Sequence, residues 1–415
     1  VVDSGGQAAL LAPTEVLAAQ HYRAITTLLG PLAERGKLGA HDEGTGVTLL
    51  TGSMTTAARR QALLDITSGQ AGIVIGTHAL LEDRVDFFDL GLVVIDEQHR
   101  FGVEQRATLV GKAGSDRRPH VLVMTATPIP RTVAMTAFGA LDISTLSELP
   151  AGRSPITSHV VLSAEKPSHL ARVWERIVEE VGAGHQAYVV VPRIASQEDK
   201  DLKPGQRQAI ALEDLAPQLI EGPLKDVRVG IMHGQMPGPD KDEVMQRFAN
   251  GPAHKDGIDV LISTTVIEVG VDVANATTMV IMDADRFGIS QLHQLRGRVG
   301  RGSAPGLCLL VTEAPAFSPA RERLAAVAST NDGFELAALD LEQRREGDVL
   351  GRNQSGMRSS LKLVSILRDE SILEQARIAA VDIVNKDPEL DSNPALARAV
   401  QSLIDQARAE FVKKS

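Results

Sequence analysis

The chain has 415 residues, a formal net charge of −10 and a pI near 5.6, with 43% hydrophobic and 23% charged residues. This is globular composition, no apolar run approaches the ~20 residues of a membrane-spanning helix, and the length predicts two or three domains of roughly 100–200 residues. The acidic balance weighs against a small basic nucleic-acid-binding domain, although a large protein can hold a local basic groove on an acidic body.

The opening Val1-Val2-Asp3-Ser4 has no initiator Met, no basic leader and no apolar stretch, so the chain is expected to begin in mid-domain and without a secretory signal. Short runs rich in Val, Ile and Leu then alternate with segments of helical spacing, the pattern of an α/β fold with parallel sheets. The first half predicts strands at Ala8 to Ala12, Val47 to Leu50, Ile73 to Ile75, Leu92 to Ile95 and Val121 to Met124. The second predicts them at Val160 to Leu162, Ala187 to Val191, Val229 to Met232, Val260 to Ile262, Met279 to Met282 and Leu307 to Val311. Between the two sets, Glu148-Leu149-Pro150-Ala151-Gly152-Arg153-Ser154-Pro155 interrupts both periodicities and marks a domain boundary near residue 153. The polar stretch Ser196 to Gln208 reads as an inserted surface loop. After Thr312 only helical spacing continues, broken at Gly347 to Gly356 and at Asp387-Pro388, which predicts a helical C-terminal element. The single cysteine, Cys308, lies in the apolar run Leu307-Cys308-Leu309-Leu310, fits a reducing cytoplasm and is expected to be a buried strand residue.

Several strand ends carry chemistry. Leu92-Val93-Val94-Ile95 runs into the carboxylates Asp96 and Glu97, and acids at the carboxyl end of a strand in an open α/β sheet face the ligand crevice. Adjacent residues of an extended chain point to opposite sides, which would let Asp96 hold a magnesium ion while Glu97 orients an attacking water. Met124-Thr125-Ala126-Thr127-Pro128 ends the next strand with hydroxyls that can relay the state of a nucleotide, or with a plain helix cap at Thr127. Ser263-Thr264 through Gly270-Val271-Asp272 follows another strand; its hydroxyls and amides suit a sugar-phosphate contact, and Asp272 could accept from a ribose hydroxyl. In Gln291-Leu292-His293-Gln294-Leu295-Arg296-Gly297-Arg298-Val299-Gly300-Arg301, Arg298 and Arg301 fall on one face if the segment is helical, where planar guanidiniums could meet phosphoryl oxygens. Thr14-Glu15, Thr51-Gly52, Thr77-His78 and His233-Gly234 each follow an apolar run, and each is equally readable as an N-cap or turn.

In this order and over two halves of similar design, these motifs resemble the paired RecA-like domains of superfamily two helicases. Asp96-Glu97-Gln98-His99-Arg100-Phe101-Gly102-Val103-Glu104-Gln105-Arg106 and Thr125-Ala126-Thr127-Pro128-Ile129-Pro130-Arg131-Thr132 narrow the resemblance to the RecG and Mfd branch. Gly347-Asp348-Val349-Leu350-Gly351-Arg352-Asn353-Gln354-Ser355-Gly356 resembles that branch's helical-hairpin coupling element, although Arg344-Arg345-Glu346-Gly347 departs from its more usual Gly-Pro. Leu367-Arg368-Asp369-Glu370 with Asp387-Pro388-Glu389-Leu390 resembles the RecG side.

The resemblance implies an N-terminally truncated RecA-like domain over residues 1–150, a linker over 151–158, a second RecA-like domain over 159–315 and a helical region with the coupling element over 316–415. It implies ATP and Mg2+ as cofactors, with Asp96 and Glu97 serving the metal and the water, and Gln294, Arg298 and Arg301 facing them from the second domain. Thr125, Thr127, Gly270 and Asp272 would attend the nucleotide. Thr14, Glu15, Thr51, Gly52, Thr77, His78, His233 and Thr264 would lie along DNA, with Arg344, Arg352, Gln354 and Arg358 in the coupling element. It further implies a monomeric, nucleoid-associated cytoplasmic helicase that acts on forks and Holliday junctions, with single-strand-binding protein as a partner. No G-x-x-x-x-G-K-[ST] phosphate loop occurs in the chain; the family carries it just upstream of the segment that begins here, so this polypeptide alone is expected to hydrolyse ATP poorly or not at all. Two other readings stand beside this one: an Mfd-like translocase coupled to RNA polymerase, and a non-catalytic helicase-derived module that binds DNA or a partner.

Overall fold

A computed structural model of the chain describes residues 1–33, 44–113, 118–126, 144–146, 154–195, 208–265, 273–343 and 370–402. Two wholly parallel sheets dominate it. In the first, β1 (Gln7–Leu11), β2 (Gly46–Leu50), β3 (Ala71–Gly76), β4 (Leu90–Ile95) and β5 (His120–Val123) lie in the order β2-β3-β1-β4-β5. In the second, β6 (Ile156–Leu162), β7 (Gln186–Val190), β8 (Val229–Met232), β9 (Val260–Ser263), β10 (Ala276–Ile281) and β11 (Gly306–Thr312) lie in the order β6-β11-β10-β7-β9-β8. All eleven predicted strands are present, most of them one to three residues longer than their apolar runs.

Parallel strands are covered by helices on both faces, so their sequences run apolar without alternation. Along β7, β9 and β10 every residue is buried. Helices α1 (Glu15–Leu29), α2 (Thr56–Thr67) and α3 (Val103–Gly111) belong to the first sheet. Leu17, Tyr22 and Ile25 of α1 pack with Ala18, Leu10 and Ile75 on one face, while Ala62, Ile66 and Leu109 join Leu11, Val74 and Val93 on the other. The second sheet is covered by α4 (Pro167–Gly182), α5 (Leu212–Glu221) and α6 (Gly238–Asn250); Trp174 and Ile177 of α4 pack with Val189, Ile262 and Val280. Pro at the first turn of α4, where an N–H would be unsatisfied in any case, favours starting that helix there.

Helix α7 (Ile289–Arg296) lies between β10 and β11, and after the second sheet come α8 (Pro319–Ser329), α9 (Gly333–Gln343) and α10 (Glu370–Lys386). The chain divides into two compact units. One, made of Val1–Ala126, Ala151–Phe287 and Gln294–Ala328, holds both sheets; the other takes Thr127–Pro150, Gly288–His293 and Ser329–Ser415.

The two sheets repeat one design, residue by residue. Read from the opposite edge, the second sheet runs β8-β9-β7-β10-β11, the same order as β2-β3-β1-β4-β5, with β6 added beyond β11. Each central strand begins with a buried glutamine whose amide donates to a helix-end carbonyl and to a neighbouring backbone carbonyl. Gln7 Nε2 reaches Ile66 O (3.0 Å) and Ala71 O (2.7 Å), and Gln186 Nε2 reaches Phe248 O (2.6 Å) and Ile258 O (2.7 Å). The edge strands end alike: Thr51 N lies 3.3 Å from Met54 Sδ, and His233 N lies 3.4 Å from Met236 Sδ.

The repeat differs at one edge. In the second sheet β11 is flanked by β6 and buried along almost its whole length, whereas β5 is the last described strand of the first sheet. There Val121 is 40% and Leu122 51% exposed.

Candidate nucleotide site and strand-end cluster

The carboxyl ends of β1, β4 and β5 bring the predicted acids together with the loop after β5. Asp96 follows directly on β4 and is held by its backbone N–H, which donates to Leu11 O (3.0 Å). Met124 N donates to Ile95 O (2.8 Å) and Gln98 N to Met124 O (3.1 Å), so the two strand ends stay in step. Beyond them the Glu97 carboxylate accepts from Ala126 N–H at 3.4 Å, joining the acid pair to Thr125-Ala126. Thr125 is half-buried beside this contact.

The extended-chain argument for Asp96 and Glu97 is corrected by this geometry. The strand ends at Ile95, and Glu97 adopts φ 49°, ψ 54°, in the left-handed region, before a short 3-10 turn at Gln98–Arg100. Alternation of side chains therefore does not decide where the two carboxylates point. Hydrogen bonds decide it for Asp96: Oδ1 accepts from Glu97 N–H (2.9 Å), and Oδ2 lies 2.8 Å from His21 Nε2 on α1. Nothing in the local sequence flagged His21, which lies 75 positions from Asp96; its place on α1 was readable, and its target was not.

A second group forms where β1, β2 and β3 end. Thr14 caps α1, its hydroxyl accepting from Leu17 N–H (3.3 Å), so the plain capping reading of Thr14 is correct as local structure. The Glu15 carboxylate accepts from Ser53 N–H (2.9 Å) and from the Ser53 hydroxyl. A Cβ on Gly52 would stand 3.3 Å from Glu15 Oε1 and 4.0 Å from His78 Nε2, so Glu15, Gly52 and His78 are immediate neighbours. Thr51 and Thr77 are buried below them, and the Thr77 hydroxyl has no hydrogen-bond partner among the described residues. In the second sheet Thr264 is the counterpart of Thr77. Thr77 N–H donates to Leu50 O and Thr264 N–H to Met232 O, both at 3.3 Å. His233 is half-buried next to them.

The arginine segment is helical only in part. Helix α7 ends at Arg296, and Arg298 and Arg301 lie beyond it, so they are not stacked on one helical face. Arg298 N–H still donates to Leu295 O (3.0 Å), and Gly300 then turns the chain at φ 70°, a left-handed conformation that glycine adopts without a Cβ penalty. Arg301 Nε folds back to Gly297 O (2.9 Å). Gln294 is half-buried on α7, and Arg296, unremarked in the sequence, is the buried one: it is 2% exposed and donates to Val327 O (2.6 Å). Thr127, Gly270, Asp272, Arg344, Arg352, Gln354 and Arg358, like most of the predicted surface loop, lie outside the described residues.

Magnesium is commonly held by one or two carboxylates together with substrate phosphates and water. Among the described residues no group of three or more His, Cys, Asp or Glu could cage a metal, and Asp96 with Glu97 offers the smaller oxygen set that magnesium takes in phosphoryl-transfer sites.

Comparison with known proteins places this geometry. A DEAD/DEAH box helicase model matches residues 1–136, a helicase conserved C-terminal domain model residues 170–303, and a model for domain 3, C-terminal, of the ATP-dependent DNA helicase RecG residues 330–410. The ATP-dependent DNA helicase RecG of Mycobacterium tuberculosis is 54% identical over 415 residues, all of this chain and 55% of that protein.

Over its whole length the chain is homologous to RecG.

Another RecG, from Synechocystis, is 44% identical over 95% of this chain and 44% of its own length. A solved structure of RecG bound to a three-way DNA junction superposes with a TM-score of 0.63 at 36% identity, covering 89% of this chain and 44% of that one. The chain thus spans about half the length of the RecG proteins it matches.

Proposed function

We propose that this chain is the motor portion of an ATP-dependent helicase that tracks along duplex DNA and remodels branched structures, regressing stalled forks and migrating Holliday junctions. The observation that carries the reading is the clasp of Asp96-Glu97 with Thr125-Ala126 at adjacent strand ends, in a chain homologous to RecG. Bound ATP and Mg2+ would supply the phosphoryl group and its Lewis acid. Asp96 would hold the metal, with substrate phosphates and water completing its shell, and Glu97 would orient and deprotonate the hydrolytic water.

Gln294, Arg298 and Arg301 are assigned to the nucleotide from the second RecA-like domain, where guanidiniums would meet charge on the transferring phosphoryl oxygens. Thr125, Thr127, Gly270 and Asp272 complete the nucleotide set. Thr14, Glu15, Thr51, Gly52, Thr77, His78, His233 and Thr264 form the DNA track, with Arg344, Arg352, Gln354 and Arg358 in the coupling element. Clustering of Glu15, Gly52 and His78 at one end of the first sheet supports a shared role for those three.

A phosphate loop supplied by sequence preceding β1 agrees with the repeat between the sheets. β6 precedes β7 in the chain and covers β11; a strand preceding β1 and lying against β5 would stand in the same relation and bury Val121 and Leu122. The domains are taken as 1–150, 151–158, 159–315 and 316–415, and the protein as a monomer of the bacterial cytoplasm, nucleoid-associated, with single-strand-binding protein as a partner.

The test compares this polypeptide with one extended upstream through the phosphate loop, assaying ATP hydrolysis with fork and linear DNA. The extended protein is expected to show DNA-stimulated hydrolysis that Glu97→Gln lowers by about 100-fold or more, and the present polypeptide little or none. Hydrolysis by the present polypeptide at the extended protein's rate, or an extended protein indifferent to Glu97→Gln, would refute the proposal.

A further inference from the structure

The candidate site contains a contact that its motifs do not explain. His21 lies on α1, six residues beyond Glu15, and its Nε2 stands 2.8 Å from Asp96 Oδ2, with the two side chains only 27% and 17% exposed. A carboxylate has acceptors only, so His21 Nε2 carries the proton and donates. With Glu97 N–H on Oδ1, both oxygens of Asp96 are held, and rotation of the carboxylate is fixed from two sides. Each oxygen keeps a further lone pair for water or metal.

The donor also comes from a telling place. Thr14 caps α1, and Glu15 in its first turn is bonded to Ser53 beside Gly52 and His78. One rigid helix therefore connects the cluster at the ends of β2 and β3 to the acid at the end of β4. The second sheet offers an internal control: Met282 N–H donates to Val190 O (2.8 Å) just as Asp96 N–H donates to Leu11 O, so the residue at the place of Asp96 there is a buried methionine, whose soft thioether is no ligand for magnesium.

We infer that His21 is a positioning residue: it orients the Asp96 carboxylate for magnesium and ties it mechanically to α1. Hydrogen-bonded partners that orient a ligating carboxylate tune metal affinity, and their loss typically costs ~10–100-fold in affinity or activity. The inference rests on Asp96 being the magnesium acid of the proposed motor.

The experiment uses the protein extended upstream through the phosphate loop. Binding of a fluorescent ATP analogue is titrated with MgCl2 for wild type, His21→Ala and His21→Gln, alongside kcat and KM for ATP with and without fork DNA. His21→Ala is expected to raise the magnesium concentration for half-maximal binding by about 10-fold, to lower kcat more than it raises KM, and to weaken stimulation by DNA. His21→Gln, whose amide still donates, is expected to recover most of the magnesium response. If His21→Ala does not fold, His21→Phe, which fills the space without a donor, is read in its place. A donor-free variant with wild-type magnesium dependence, or a folded His21→Gln no better than alanine, overturns the inference. A wild-type protein that fails to hydrolyse ATP, or whose magnesium dependence is unchanged by Asp96→Ala, counts instead against the proposed function.

Discussion

Glu97 and Asp283 occupy the same point of the two sheets: each follows the end of a strand, β4 or β10, with φ 49°, and each leads into a short 3-10 turn. Each turn is followed by a buried phenylalanine, Phe101 or Phe287, and by a glycine whose N–H meets a glutamine Oε1, from Gln105 at 3.0 Å or Gln291 at 3.2 Å. The two carboxylates nevertheless have different surroundings. Glu97 reaches Ala126 N–H at the strand-end crevice, while Asp283 is 1% exposed and its Oδ2 accepts from Ile210 N–H at 2.7 Å. One scaffold position thus serves a candidate reaction in one sheet and a structural bond in the other.

Asp283→Ala should therefore destabilise the second sheet without touching the candidate acids. It leaves Ile210 N–H without its carboxylate and places alanine in a left-handed conformation that aspartate and asparagine tolerate better, a combined loss of about 2–3 kcal/mol. Asp283→Asn should lose less than half as much. Guanidinium unfolding followed by fluorescence of Trp174, the single tryptophan and part of the second core, measures both.

Gln186→Leu keeps side-chain volume but withdraws both amide bonds to Phe248 O and Ile258 O. Phe248 O still accepts from Gly251 N–H (3.1 Å), so the loss falls mainly on Ile258 O, a carbonyl left without its donor at a cost of about 1–3 kcal/mol. The same Trp174 unfolding curve should shift accordingly; an unchanged midpoint would mean that water replaces the amide.

Glu82 provides an acid-sensitive link in the first sheet. Hydrogen bonds from Arg59 (2.6 Å) and then Arg84 (2.7 Å) hold its carboxyl below the usual glutamate value. A depressed carboxyl stabilises the fold above its unfolded-state pKa, near 4.5, and the contribution disappears as pH falls through the lower folded value. With Glu82 a third exposed, the contribution is at most about 1 kcal/mol. Urea unfolding of wild type and Glu82→Gln should differ by that amount at neutral pH and converge in acid.

Cys308 should be chemically silent in the folded protein. Burial in β11 pushes its thiol up to about 12, so almost no thiolate exists at neutral pH, and no reagent reaches it without unfolding. A thiol-specific chromogenic reagent should modify no cysteine in the native chain and one after denaturation. Rapid native labelling would contradict the buried strand position.

Much of the fold was legible because parallel strands buried on both faces must be written as unbroken apolar runs. Leu92 to Ile95 and Val260 to Ile262 could be placed for that reason, and a helix could be placed after Thr14 because a hydroxyl before a helical pattern supplies the missing N-terminal acceptor. Residue types at strand ends likewise marked Asp96, Glu97 and Thr125. Whether Arg298 and Arg301 share a helical face stayed open, because their spacing says nothing about where the helix stops; it stops at Arg296, and Gly300 then turns the chain.

What the amino-acid order determined by itself was therefore local: which segments are strands or helices, and which chemical groups stand at their ends. Partnership was settled only in three dimensions. His21 and Asp96 are separated by 75 positions and no periodicity relates them; they meet because the packing of α1 on the first sheet brings an imidazole to the end of β4. The left-handed backbone at Glu97 and Asp283 is tertiary in the same way, since hydrogen bonds from distant segments offset a conformation that neither residue favours alone.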